Sequence, residues 1–192
     1  MKGVIFKVFE DFVVTNFGED VYEDVYDDTE LLTKEPFVGP GTYPPQDLMA
    51  LVQTAAGKLG VTVEDAVRAC GKFAFPALAG SVRPLMEQFD DAASFLLGLE
   101  SVVHTEVRKL DQDASPARFN VERVSDSELT MHYESPLGLF PLVHGLLDGA
   151  AEWFDEPFGH EMIESEGTNA TFRITFEPSV VGAGSATASA DG

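Results

Sequence analysis

The sequence predicts an α+β fold: a helical N-terminal subdomain, then a C-terminal subdomain with a four-stranded antiparallel sheet and helices. Three observations predict it. Apolar residues recur every three or four positions through most of residues 1–115, the period of a buried helix face. After Pro116 the pattern changes to period-two alternation in two pairs of runs, as half-buried strands require. An apolar helical stretch separates the two pairs, so the second half reads β-β-α-β-β. The chain has 192 residues, 44% of them hydrophobic, enough to bury a core of its own.

Each element has its own signature. From Lys2 to Phe17 the stripe Ile5, Val8, Phe9, Phe12 and Val13 is helical, and Gly18 ends it. Glu19 to Asp28 is acidic, with Val21, Tyr22, Val25 and Tyr26 at helical spacing. Glycines and prolines make Phe37 to Pro45 a loop. Asp47 is positioned to cap a helix through Leu48, Leu51, Val52 and Ala55 that stops at Gly60. Thr62 caps the next helix, with Val63, Ala66, Val67 and Cys70. Phe73 to Leu78 reads as a short aromatic segment interrupted by Pro76. A long helix is predicted from about Phe89 to Leu110, its stripe formed by Phe89, Ala92, Leu96, Leu99, Val103, Val107 and Leu110. His104 sits beside that stripe.

In the second half, Phe119–Val124 and Leu129–Tyr133 alternate around a Ser125-Asp126-Ser127 turn. Gly138 to Phe154 is an apolar helix, with Pro141 in its first turn where a missing N–H does little harm. His160–Ser165 and Thr171–Phe176 supply the other strands. Residues 179–192 are small, polar and rich in Gly, Ala and Ser, the composition of a flexible tail or linker.

Charge narrows the function. With 12 Lys+Arg against 33 Asp+Glu the net charge is −21, which repels phosphate backbones and argues against nucleic-acid or anionic-membrane partners. The single cysteine, Cys70, has no disulfide partner within the chain and reads as a packing residue. Lys7, Glu10 and Asp11 break the apolar N-terminus, so it reads as neither signal peptide nor membrane span. A soluble, cytoplasmic protein without membrane insertion is the expectation.

Nothing in the residues points to an enzyme: no P-loop, GxGxxG turn or Ser-His-Asp arrangement is visible. Of the four histidines, none pairs as HxxxH or HExxH. His132 alternates with Tyr133 and should face solvent, and His144 reads as a surface or interface residue. A lone helical histidine such as His104 is, by itself, more often packing or surface than a ligand.

Three stretches change its reading. Ser101-Val102-Val103-His104-Thr105-Glu106-Val107-Arg108-Lys109-Leu110 resembles the proximal-histidine helix of the haem nitric oxide/oxygen-binding (H-NOX) family. Tyr133-Glu134-Ser135-Pro136-Leu137 resembles that family's Tyr-x-Ser-x-Arg turn, and Met1-Lys2-Gly3-Val4-Ile5-Phe6 its usual opening. The resemblance covers about residues 1–178 and implies a tetrapyrrole pocket between the two subdomains. It implies haem b (iron protoporphyrin IX), held by His104 as axial iron ligand and by Tyr133 and Ser135 at the propionates.

The chain departs from the family at two places. Leu137 stands where the turn carries its arginine, removing a charged donor worth about 1.5–3 kcal/mol. Arg118 is the candidate replacement. After Pro116 comes Ala117, where many relatives have a second proline that distorts the porphyrin, so a flatter haem is expected. On the distal side, Leu142 stands where oxygen-binding relatives have a tyrosine. The other pocket candidates, Ile5, Phe9, Ala74, Leu78 and Leu146, are apolar too. The resemblance therefore implies a non-enzymatic sensor of nitric oxide and carbon monoxide rather than oxygen. In the family, nitric oxide weakens or breaks the iron–histidine bond. The signal then passes to an effector such as a histidine kinase, cyclase, diguanylate cyclase or chemoreceptor. The alternative is the same fold with another tetrapyrrole or none, acting as a protein-interaction regulator.

Overall fold

The computed structural model describes residues 1–105 and 117–177. Val107, Leu110, Pro116 and the expected tail lie outside the described residues. Four helices come first: α1 (Gly3–Phe17), α2 (Glu19–Asp27), α3 (Pro45–Leu59) and α4 (Val63–Ser81). A short α5 (Arg83–Met86) and α6 (Ala92–Gly98) follow, and α6 runs straight into a π-helical turn at Leu99–His104. The rest is β1 (Arg118–Ser125), β2 (Glu128–Glu134), the helix Phe140–Trp153, named α7 here, β3 (Phe158–Glu166) and β4 (Asn169–Phe176). The four strands form one antiparallel sheet in the order β1-β2-β4-β3, as the alternation predicts.

Two apolar clusters hold the molecule together. One joins α1–α4 around Phe6, Phe9, Phe12, Val25 and Leu51. The other lies between the sheet and α4, α6 and α7, around Phe75, Phe95, Leu129, Met131, Val143 and Phe172. α4 contributes to both: Ala66 and Val67 to the first, Phe75 and Ala79 to the second. Its packing against α7 depends on missing side chains. A Cβ on Gly71 would come 2.7 Å from the Leu142 carbonyl oxygen, and one on Gly145 would collide with the Arg68 carbonyl. These glycines let the two backbones approach directly.

Three local expectations change. Pro76 does not interrupt α4, which continues to Ser81. The proline removes the helical donor to the Lys72 carbonyl, but Phe75 and Ala79 on either side are anchored in the core. Asp47 does not cap its helix. α3 starts at Pro45, and the buried Asp47 carboxylate accepts from the Leu32 and Thr33 amides and the Thr33 hydroxyl, holding the preceding loop. The long helix does not begin at Phe89. Asp91 caps α6 through the Ser94 amide at 2.7 Å, while Phe89 packs in the turn before it, against Phe95. Thr62 does cap α4, and Gly60 closes α3 in the left-handed conformation.

Candidate functional site

His104 closes the π-helical turn. π turns are rare and tend to occur at functional positions, because the wider turn re-aims the residues that follow. The Thr105 hydroxyl donates to the Glu100 carbonyl at 3.1 Å across this wide turn. Within it, the Glu100 carboxylate lies 3.1 Å from His104 Nδ1. The same oxygen accepts the Phe119 amide of β1 at 3.3 Å. Glu100 thus links the histidine turn to the first strand. The His104 side chain is only 15% exposed.

From His104 a chain of rings leads across the sheet. Phe119 lies 5.7 Å from the imidazole, Tyr133 lies 5.4 Å from Phe119, and Phe140, the first residue of α7, lies 5.9 Å from Tyr133. Tyr133 is buried, and its hydroxyl accepts from the Leu139 amide at 3.2 Å. Ser135 Oγ accepts from the Leu137 amide at 3.3 Å. Both polar side chains of the turn therefore order its backbone. Leu137 itself is 42% exposed.

Arg118 does not join this group. It pairs with Glu134 in the strand register and is exposed, so it lies on the sheet face opposite Phe119 and Tyr133. Ala117 is half-buried and packs on the sheet-side cluster. Ile5 and Phe9 on α1 share a cluster with Leu142 of α7, whereas Leu146 packs on the sheet side. Ala74 is buried and Leu78 half-buried, both on α4. A separate cavity of about 330 Å³ opens beside Glu100, Ser101, Thr105 and Phe119, between the histidine turn and β1. None of the apolar candidates lines it.

A second histidine group was not visible in the sequence as a motif. His144 Nδ1 of α7 lies 2.9 Å from His160 Nδ1 of β3. His160 Nε2 lies 2.8 Å from Asp148, whose carboxylate also takes Arg68 of α4 through Nε at 2.7 Å and Nη2 at 3.1 Å. Burial pushes the pKa of His144 down, and the charges of His160 and Arg68 add to the effect. Burial alone would raise the Asp148 carboxyl, but the bonds from Arg68 and His160 outweigh it and hold it low. His144 is therefore an interior contact as much as a surface one, while His132 is exposed as expected and reaches Thr171. Asp148 reaches His160 across twelve residues, which no local pattern announces, whereas Glu100 lies four residues from His104. That spacing was the available signal, since residues four apart on a helix are neighbours.

Cys70 fits a packing role: burial raises its thiol pKa to about 12. Among the described residues, no three or more His, Cys, Asp and Glu side chains converge as a metal-binding group. No described helix is long and apolar enough to cross a membrane.

The sequence matches the family model for haem-NO-binding proteins over residues 2–162. The fold resembles solved structures over nearly all of both chains. An H-NOX protein from S. oneidensis, crystallised in the Fe(II)NO ligation state, is 29% identical with a TM-score of 0.85, covering 93% of this chain and 100% of that one. The Fe(II) unliganded H-NOX protein from K. algicida is 27% identical with a TM-score of 0.83, covering 94% and 98%. A Cs H-NOX variant at 18% identity shares the fold, with a TM-score of 0.82, covering 94% and 98%. No match is found among curated proteins.

Proposed function

The chain belongs to the haem-NO-binding family, and from that premise we propose that it is a haem-based sensor of nitric oxide that uses His104 as its axial iron ligand. Haem b is the proposed cofactor, carbon monoxide a second ligand, and a signalling effector the partner. The sensor would occupy residues 1–178, work in the cytoplasm and catalyse no reaction.

The observation that carries the proposal is the Glu100–His104 pair on the π turn. The donor set fits the group. A metal-holding histidine needs its other ring nitrogen engaged by an acceptor, and Glu100 supplies one. In a haem-NO-binding family the rest of the iron's coordination would come from the haem itself. When bound, haem would supply an iron able to take up a diatomic gas.

The chain's own residues do the remainder. His104 donates a neutral nitrogen. Phe119 packs beside the imidazole, and the Tyr133–Leu137 turn lies next along the ring chain. Ile5, Phe9, Leu142 and Leu146 would offer bound gas no hydrogen-bond donor. Bound dioxygen gains from such a donor; nitric oxide and carbon monoxide need it less. With Arg118 on the other face of the sheet and Leu137 apolar, propionate anchoring would rest on Tyr133 and Ser135.

The test is a set of absorption spectra of the ferrous protein alone, with nitric oxide, with carbon monoxide and in air. A haem Soret band that shifts with both gases, and no lasting oxy spectrum in air, is expected. A stable oxy form would overturn the selectivity. A haem spectrum indifferent to His104→Ala would overturn the ligation.

A further inference from the structure

We infer that Glu100 is a positioning residue that selects the iron-binding tautomer of His104 and ties that imidazole to β1; the iron part of this inference rests on the proposed ligation.

An ionised carboxylate only accepts hydrogen bonds. With Oε2 at 3.1 Å from His104 Nδ1, the proton of that bond belongs to Nδ1. In a neutral imidazole the other nitrogen, Nε2, then carries the lone pair, and Nε2 is the atom that would meet iron. The same oxygen accepts the Phe119 amide, so it is held from the strand side as well. The Thr105 hydroxyl on the Glu100 carbonyl steadies the turn from which the side chain projects.

Three consequences follow for a bound haem. The tautomer is set before the group arrives, so none of the binding energy goes into proton rearrangement. A carboxylate on Nδ1–H raises the electron density at Nε2 and strengthens its bond to a metal. Release of the imidazole would also be felt at Phe119, through the shared oxygen, and so at the edge of the sheet. Histidine and carboxylate lie four residues apart on one turn, so the pairing is local; the Phe119 contact is what extends it to β1.

Two measurements test this. In haem-free protein, nitrogen-15 NMR of the His104 ring reads the tautomer directly. The Nδ1–H form should dominate in the wild type and give way to the Nε2–H form in Glu100→Ala, with the Phe119 amide proton shifting at the same time. In the ferrous haem-loaded protein, resonance Raman reads the iron–histidine stretch. It should fall in Glu100→Ala, together with a loss of haem affinity of about 10–100-fold. Glu100→Gln keeps the shape and an acceptor oxygen but not the charge. It should retain the tautomer and the fold, yet still lower the stretch. An Nε2–H form in the wild type, or a stretch and tautomer unmoved by Glu100→Ala, would overturn the inference. A haem spectrum unchanged by His104→Ala would overturn the ligation and any role of Glu100 toward iron, whatever the tautomer.

Discussion

Two histidine–carboxylate groups lie in this molecule, and they are held in different ways. At His104, a carboxylate from the same turn engages Nδ1, and a strand amide shares its oxygen. At His160, both ring nitrogens are engaged, Nδ1 by His144 and Nε2 by Asp148, with Arg68 closing the group from α4. The second group joins α7 and β3, consecutive in the chain, to α4, whose Arg68 lies 80 residues before Asp148. It behaves as a clasp between α4, α7 and β3. A histidine with both nitrogens engaged inside the protein has no lone pair to offer a metal. The difference teaches that a carboxylate partner alone does not mark a ligand: at His160 it helps fasten three elements together, whereas at His104 it ties one turn to β1.

The largest test exchanges the two roles. His104→Ala should remove the haem Soret band contributed by axial ligation, while His160→Ala should leave it in place. The opposite result would break the comparison outright. Next in size, Leu137→Arg restores a charged donor beside Ser135. It should raise haem affinity about tenfold or more, measured by haem transfer to a competing apoprotein. The gain belongs to the His104 side and should vanish in the His104→Ala background if the two sites act on one haem.

The clasp should answer to stability instead. Asp148→Ala strips the acceptor from Arg68 and His160 and should cost about 1–3 kcal/mol, because the buried His160 is left unpaired at Nε2 while the half-exposed Arg68 can turn to water. For a chain of this size that is a fall in Tm of about 2–4 °C per kcal/mol. No change in the spectrum should accompany it. The smallest effect is on pH. The folded pKa of His144 lies below its ordinary value, first through burial and then through His160 and Arg68. As pH falls below about 6.5, the unfolded chain takes up the proton before the folded one, so stability drops until the folded pKa is passed. Tm measured from pH 8 to 5 should show this fall, and His144→Gln should flatten it.

Much of this was legible in the chain. Gly18 and Gly60 ended their helices, Thr62 capped α4, and the alternation around Ser125-Asp126-Ser127 gave the hairpin. These features are local: a cap, a turn or a period of two is fixed by a few neighbouring residues. The failures were also local signals, overridden by packing. Pro76 marks a break in sequence, but the Phe75 and Ala79 contacts carry α4 through it. Asp47 has the chemistry of a cap, yet the Leu32–Thr33 backbone claims its carboxylate. Arg118 had the right charge, and strand register turned it to the other face.

The sequence by itself determined the fold class, the order of elements, the acidic surface and the histidine that deserved testing. Each follows from composition, periodicity or a contiguous motif. Only the tertiary structure decided who touches whom across the chain. It brought Phe119 to the oxygen that engages His104, and it gathered Arg68, His144, Asp148 and His160 from three elements into one group. It also widened the end of α6 into a π turn at His104. The physical reason is the same in each case. A spacing of four residues fixes a neighbour on one turn, but a shared hydrogen bond between distant elements exists only once their apolar faces have packed and set the distance.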